Sequence, residues 1–239
     1  MAEPVDSPVE YPVFAVTSDV VVFLLVGGIL NVVLVERGVE PFKGQWALPG
    51  GFKRPDESLD EAAARELREE VGFLASQLRQ FGAFGDPGRD PRGNVVTVGY
   101  YVVINEVPNL VSGTDASDTA FWAVREVLRK QEFLAFDHRM ILESAMVHLA
   151  RELETSDLIR HLLPIEFRIS ELQAVYEQIW SCKLDPSNLR RSLNLKEEEW
   201  LQRVGVVEGG SGRTGRPAGK YRFNGDWSRG GPIRRPNVN

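Results

Sequence analysis

Residues 51–73, GFKRPDESLDEAAARELREEVGF, constrain this chain more than any other stretch. From Ser58 to Val71 they contain no Gly or Pro and are rich in Ala, Glu, Leu and Arg, a composition that favours a helix. Leu59, Ala62, Ala63, Leu67 and Val71 recur at helical spacing and define the stripe that such a helix buries. Gly72 stands where a left-handed residue ends it. On the polar side, Glu66 lies three residues before Glu69 and four before Glu70, so the three carboxylates project toward one site. Such a cluster repels itself, and a bound cation is its natural compensation. Hard ions such as Mg²⁺ prefer oxygen ligands and keep several waters, so a few carboxylates suffice. Arg65, four residues ahead of Glu69, is placed to clamp that carboxylate. These residues alone leave a second reading open, a solvated acidic face laced with Glu–Arg pairs.

Charge divides the chain in two. Residues 1–150 carry 13 Lys and Arg against 22 Asp and Glu, a net of −9, whereas residues 151–239 carry 15 against 12, a net of +3. From Arg203 onward only Glu208 and Asp226 are acidic. Opposite signs in two halves point to two units with different partners, a cation at the front and a polyanion at the back. Cys182 is the only cysteine, which excludes an intrachain disulfide and a multi-thiolate metal site and fits a reducing cytoplasm. The acidic, Pro-rich start, MAEPVDSPVEYP, is the opposite of a signal peptide. The apolar run Val20–Val35 is too short to span a membrane comfortably and is broken by Gly27-Gly28 and Asn31, so it reads as two strands and no membrane segment is expected.

Along the first unit, residues 17–38 read as a hairpin and PFKGQWALPGGF as a loop into a short strand. After the helix come strands around Arg79–Phe84 and Asn94–Asn105, separated by the turn-rich GDPGRDPRG. Phe121–Leu128 reads as a short strand and turn, and Asp137–Glu154 as a helix. This unit closes near residue 154. In the second, short helical segments around Asp157–Leu163 precede a helix over Glu171–Trp180 capped by Ser170. A second short helix follows, capped by Asp185 with Pro186 at its first position. Helix, short turn, helix is the skeleton of a helix-turn-helix, spanning with a following hairpin residues 155–224. Its second helix starts with Ser187 and Asn188, followed by Arg190 and Arg191, types that bond bases and phosphates. Arg213, Arg216 and Lys220, in and beside the Gly-rich hairpin loop, would reach phosphates or the minor groove as a wing. The residues alone also allow a helical accessory domain with solvated arginines. Residues 225–239 read as a mobile tail.

Gly51, Glu57, Arg65, Glu66, Glu69, Glu70 and Gly72, with apolar Leu67 and Phe73, stand at the spacing of a complete Nudix box, and the chain resembles the Nudix family. The resemblance implies an α/β/α sandwich with a mixed sheet and Mg²⁺ (or Mn²⁺) held by Glu66, Glu69 and Glu70 with the backbone at Gly50-Gly51. One glutamate of that group, Glu66 or Glu69, would handle the proton of an attacking water. Arg65 would orient a glutamate, and Glu57 would support the loop. The segment 85–93 with the strand after it resembles that of ADP-ribose pyrophosphatases. Arg89 and Arg92 there either pair with a ligand diphosphate or fix the loop through Asp86 and Asp90. His138 reads as a helix-start packing residue rather than a ligand contact, and Trp46, Tyr100 and Tyr101 as core rather than adenine platforms. His148 and His161 are assigned no role.

Residues 163–223, from LPIEFRISELQAVYEQIW through DPSNLRRSL to GRPAGKYRF, resemble the winged helix-turn-helix of the Nudix-related transcriptional regulators of NAD metabolism. That resemblance covers nearly the whole chain. It implies a homodimeric repressor of NAD synthesis or salvage genes, binding a double-stranded operator, with ADP-ribose or a related NAD metabolite bound at the Nudix domain and releasing DNA. Many members have a damaged Nudix box; this chain does not. The competing expectation is an ADP-ribose pyrophosphatase whose second unit serves only dimerisation.

Overall fold

A computed structural model describes residues 11–74, 77–105, 116–195, 200–206, 219–225 and 233–236. Among them, seven strands form one mixed sheet: β1 (Ala15–Val26), β2 (Ile29–Arg37), β3 (Trp46–Ala47), β4 (Gly50–Phe52), β5 (Arg79–Phe84), β6 (Val95–Ile104) and β7 (Ala116–Ala123). The apolar run that raised a membrane reading is the β1–β2 hairpin, turned at Gly27 and Gly28 with φ of 59° and 80°. Only glycine enters that region without strain. No helix among the described residues is long and apolar enough to cross a membrane. β1 runs parallel to β6 from Ala15–Val95 to Leu24–Ile104, and the other pairings in this sheet are antiparallel.

β1 and β2 pair with each other only between Phe23–Val26 and Ile29–Val32. Beyond that point β4 takes the β1 edge at Thr17–Asp19, and β3 takes the β2 edge at Val35–Glu36. These two buried strands therefore diverge, and a cleft opens where they part. Side chains alternate across the sheet. Val20, Val22 and Leu24 share a core with Ala63, Leu67 and Val71 of α1 (Leu59–Val71), while Val21 and Phe23 belong to the opposite layer with Leu142, Ala145 and Leu149 of α3 (His138–Thr155). The result is the expected α/β/α sandwich. At the start of α1, Ser58 Oγ accepts the Glu61 N–H at 3.2 Å and the Glu61 carboxylate accepts the Ser58 N–H at 2.7 Å, a reciprocal cap.

One element differs from its expectation. The strand placed at Phe121–Leu128 lies earlier, at β7, and residues Val124–Arg129 form the short helix α2. Pairing with β2 draws the strand back to Ala116, and Val124 and Val127, three apart, are both buried on one helical turn.

A 3-10 turn at Leu158–His161 leads to α4 (Ile169–Trp180) and α5 (Pro186–Ser192), then to an antiparallel pair, β8 (Leu201–Val206) and β9 (Gly219–Phe223). This is a helix-turn-helix followed by a two-stranded wing. The cap of α4 is Arg168, not Ser170: the Glu171 carboxylate accepts the Arg168 N–H at 2.6 Å. The start is moved forward because Phe167 exchanges two backbone hydrogen bonds of 2.9 Å with Tyr221 of β9, which fixes where the helix can begin.

No break in the core marks residue 154. One buried cluster runs from Phe23 and Val32 through Leu149 and Leu153 to Leu172, Trp180, Leu189 and Leu201. Trp180 Nε1 donates to the Ala150 carbonyl at 3.0 Å, tying α4 to α3. The expected mobile tail does not describe residues 233–236. Ile233 is 4% exposed within the same cluster, Arg234 donates to the Glu154 carbonyl at 2.6 Å, and Arg235 to the Trp180 carbonyl at 3.3 Å. Those carbonyls belong to the last turns of α3 and α4, which lack partners within their own helices. Ile233→Ala should therefore destabilise the protein by about 2–4 kcal/mol. Urea unfolding monitored by tryptophan fluorescence measures this, and a loss below about 0.5 kcal/mol would mean that the segment carries no packing energy.

Candidate ligand cleft and nucleic-acid interface

The cleft where β1 and β2 diverge encloses about 210 Å³, and its lining includes the carboxylates Asp19, Glu66 and Glu70 together with Arg37, Arg92, Phe52 and Phe136. Arg65 organises its floor. Its guanidinium, 9% exposed, donates to Glu57 at 2.7 and 2.9 Å, to Glu66 at 2.6 Å, to Glu69 at 3.2 Å and to the Phe52 carbonyl at 3.0 Å. Glu57 in turn accepts the Arg54 N–H at 2.7 Å, so the loop after β4 is anchored to α1. The Arg65 hydrogen bonds, and next that backbone N–H, hold the Glu57 carboxyl down at about 2. The position expected to support the loop does so.

Gly50 and Gly51 are dictated by close approach. A Cβ on Gly50 would collide with Asp19 and the Ser18 carbonyl, and one on Gly51 would land inside the Glu66 carboxylate. The Gly50 N–H instead donates to Glu70 Oε2 at 2.9 Å. Burial, outweighing that hydrogen bond and assisted by Glu66 and Asp19, pushes Glu70 up to about 8. Burial also raises Glu66, against the pull of Arg65. An acid that holds its proton beside two other carboxylates marks a place short of positive charge, and hard oxygen donors suit a divalent cation.

The sequence expectation that Glu66, Glu69 and Glu70 all face one site is met for two of them. Glu66 and Glu70 line the cleft; Glu69 is 43% exposed and turns to Arg65 and, at 3.6 Å, to Arg54. Among the described residues no three acidic, histidine or cysteine side chains converge as placed on a single point, since Arg65 draws Glu66 and Glu69 to itself. Arg89 and Arg92 both line the cleft and both fix protein. Arg92 chelates Asp90 at 2.7 and 3.0 Å, as one reading expected. Arg89 chelates Asp137 at 2.6 and 2.8 Å, rather than Asp86 or Asp90.

Asp19 and Phe136 line the cleft without having been singled out from the sequence. Asp19 is a lone carboxylate inside the β-branched strand β1, buried beside Arg89 and His138, each at 3.7 Å. A charge inside such a strand is a signal in itself. Phe136, with φ of 52°, carries the guanidinium groups of Arg37 and Arg92 at 4.7 and 5.3 Å from its ring centre. His138 is a packing residue at the start of α3, as expected, yet also lines the cleft. Its Nδ1 accepts the Leu48 N–H at 2.9 Å, and burial lowers its pKa, so it is neutral with its proton on Nε2. Tyr100 and Tyr101 are core residues, and Trp46 packs against Trp122 and Phe133.

In the second unit, Leu189 and Leu193 bury one side of α5 and leave Ser187, Asn188, Arg190 and Arg191 exposed on the other. Asp185 caps the helix, accepting the Asn188 N–H at 2.8 Å. Glu177, unnoticed in the sequence, builds the turn between α4 and α5. It accepts from Gln173, the Leu184 N–H and Lys183, each at 2.9 Å, and these donors, in that order, hold its carboxyl at about 2. Ser181, with φ of 51°, starts that turn in the left-handed region. Lys220, the second residue of β9, pairs with Glu166 at 3.1 Å. Arg213 and Arg216 lie outside the described residues.

Residues 16–144 match the family model of the NUDIX domain, and residues 159–223 match that of the NrtR DNA-binding winged helix domain. The chain is 33% identical over 219 residues to the ADPR responsive transcriptional repressor NtrR of Acinetobacter baylyi, covering 90% of this chain and 84% of that one. It superposes on the crystal structure of Shewanella oneidensis NrtR complexed with a 27mer DNA with a TM-score of 0.69 and 31% identity, over 87% of this chain and 93% of that one. The NUDIX domain of the same Shewanella protein, complexed with ADP ribose, matches 60% of this chain and 93% of its own at 34% identity and a TM-score of 0.55. With a glycine-pinned glutamate cleft at one end and a capped helix-turn-helix at the other, the chain belongs to the Nudix family, in the NrtR form that joins a Nudix domain to a DNA-binding winged helix.

Proposed function

We propose that the protein is an ADP-ribose-responsive transcriptional repressor of NAD synthesis or salvage genes. It acts in the cytoplasm as a homodimer that binds a pseudo-palindromic operator and lets go when ADP-ribose or a related NAD metabolite fills the cleft. The observation that carries this reading is the exposed row Ser187, Asn188, Arg190 and Arg191 on a helix whose opposite side is fixed in the same core as the carboxylate cleft. α5 would lie in the major groove, its first residues nearest the base edges, with arginine the commonest partner of guanine. Lys220, and Arg213 and Arg216 of the wing loop, would contact phosphates, where salt-sensitive affinity arises.

At the other end, Glu66, Glu70 and the Gly50 backbone, joined by Glu69 when it leaves Arg65, would hold Mg²⁺ or Mn²⁺. Such an ion supplies charge neutralisation on a diphosphate and Lewis-acid activation of water. Arg37, Arg89, Arg92 and Gly51 would face the ligand, and Glu57 would hold Arg65 in place. A second reading, hydrolysis of ADP-ribose, is favoured by the intact Arg65 clamp and by Glu66 and Glu70 both reaching the cleft. Either carboxylate would then handle the proton of the attacking water.

Three outcomes are expected. In a gel shift on DNA upstream of its own gene or of neighbouring NAD genes, the wild type should bind in a salt-sensitive way and release on adding ADP-ribose. Arg190→Ala should weaken binding by about 1–3 kcal/mol and leave ADP-ribose affinity unchanged; no shift on any such DNA would sink the repressor reading. For the second reading, AMP release from ADP-ribose with Mg²⁺ should disappear in Glu70→Gln, and absence of release by the wild type would make the domain a sensor only.

The third concerns pH. Glu70 keeps its proton in the folded protein to about 8 but loses it near the ordinary 4.5 when unfolded. The folded form binds more protons across that window, so stability present below 4.5 is lost as the pH rises through 8. Glu57 works oppositely, adding stability above 4.5 that is lost as the pH falls toward 2. In thermal melts of the cation-free protein, the advantage of Glu70→Gln over wild type should grow steadily from about pH 5 to pH 8. An advantage independent of pH would rule out a buried, protonated Glu70.

A further inference from the structure

Gln178 makes a two-point grip between the helix-turn-helix and the sheet. Its Oε1 accepts the Leu30 N–H at 2.9 Å, and its Nε2 donates to the Gly28 carbonyl at 2.9 Å and to the Ala174 carbonyl of its own helix at 3.1 Å. A primary amide presents a donor and an acceptor side by side, and here they take the Gly28 carbonyl and the Leu30 N–H, which belong to successive peptide units flanking Ile29 at the start of β2. Apolar contacts between α4 and the sheet tolerate sliding; a paired donor and acceptor fixes direction and register.

The two sides of this grip lead to the two sites. Toward the DNA reader, the adjacent Glu177 is the side chain that builds the turn into α5. Toward the cleft, β2 runs from the grip to Val35, Glu36 and Arg37, all of which line the cavity. Leu30 through Val35 are buried, and the strand is hydrogen-bonded along its length, to β1 and then β3 on one edge and to β7 on the other. From Leu30 to Val35 such a strand spans roughly 17 Å. A strand so enclosed moves as a unit, because close-packed interiors transmit displacement instead of absorbing it.

We propose that Gln178 is the coupling residue of the regulator: occupancy of the cleft, felt by β2 at Val35–Arg37, is passed by its amide to α4 and so to the orientation of α5. This rests on the repressor reading above. A ligand changes DNA affinity only through a difference in its affinity for the two arrangements of the protein, and the Gln178 bonds are where the two domains can register that difference. Gln178 touches neither ligand nor DNA, so it is a positioning residue.

The test uses the full chain and Gln178→Met, close in volume but unable to make either hydrogen bond. Fluorescence anisotropy gives the DNA Kd with and without saturating ADP-ribose, and calorimetry gives the ADP-ribose Kd. In the wild type the ligand should weaken DNA binding by roughly 5- to 150-fold. In Gln178→Met that ratio should fall at least about five-fold toward one, while both binary affinities stay within about three-fold of wild type. An unchanged ratio overturns the proposal, as does a loss of DNA affinity with the ratio intact, which would mean a merely structural role. Should the variant fail to fold, hydrogen exchange on the wild type decides: ADP-ribose must change protection of the Leu30 amide, and no change there overturns the coupling. If wild-type DNA affinity ignores ADP-ribose altogether, the repressor reading falls and the coupling with it; a responsive wild type with a responsive variant overturns the coupling alone.

Discussion

The Arg65 guanidinium reaches Glu57, Glu66, Glu69 and the Phe52 carbonyl at once while almost wholly out of solvent. Those groups sit on three parts of the front unit: Phe52 on strand β4, Glu57 on the loop after it, and Glu66 and Glu69 on helix α1. A buried cation left without its carboxylates costs about 3–5 kcal/mol, so the loop and the helix are obliged to stay together. The glycines complete the arrangement from the other side. Because Gly50 and Gly51 lack side chains, β4 comes close enough for the Glu66 carboxylate to lie against Gly51 and for Glu70 to take the Gly50 amide. The divergence of β1 from β2 is thus filled by a strand that must be thin, and what remains of the gap is the cleft.

That cleft and the reader helix belong to one body. Val32 and Leu34 of β2 share a buried cluster with Leu172, Val175 and Ile179 of α4, and Trp180 and Ile233 close it on the side of α3. Arg234 and Arg235 cap the ends of α3 and α4 from a single short segment. A linker-tethered reader would be indifferent to what fills the cleft. A reader whose first helix shares a core with the strand lining the cleft is not, and this is the structural condition for ligand control of DNA affinity.

What could be read from the sequence were the features set by neighbours in the chain. The α1 stripe with Gly72, the Asp185–Pro186 cap and the Gly-Gly hairpin are short-range, and each lies where its local chemistry puts it. Arg92 finds Asp90 two residues away, as expected, whereas Arg89 finds Asp137 forty-eight residues on. Only the fold brings that pair together. For the same reason Ser170 lost its place as cap to Arg168: the position of Phe167 is decided by Tyr221 in the wing, which no local pattern reveals. Gln178 is the extreme case, an ordinary amide on a helix surface until Leu30 and Gly28 are brought beneath it. Glu69, by contrast, followed the helical spacing and still missed the cleft, because Arg65 offered it a nearer partner.

Charge within the cleft also decides how a phosphorylated metabolite can enter. Asp19, Glu66 and Glu70 line it, and of the three arginines there Arg89 and Arg92 already chelate Asp137 and Asp90. Arg37 has its Nε on the Pro41 carbonyl and its guanidinium over Phe136. A dianionic diphosphate brought into this setting would meet a carboxylate cluster in which burial, with the repulsion of Glu66 and Asp19 added to it, already keeps a proton on Glu70 at neutral pH. Protonation relieves one charge; a divalent cation relieves two and brings its own affinity for phosphate oxygens. Under the proposed reading, cation and metabolite therefore bind together or weakly, and protons compete with the cation for Glu70. Sensing by this protein is then linked to free divalent ion as well as to ADP-ribose, whether or not the bound ligand is ever cleaved.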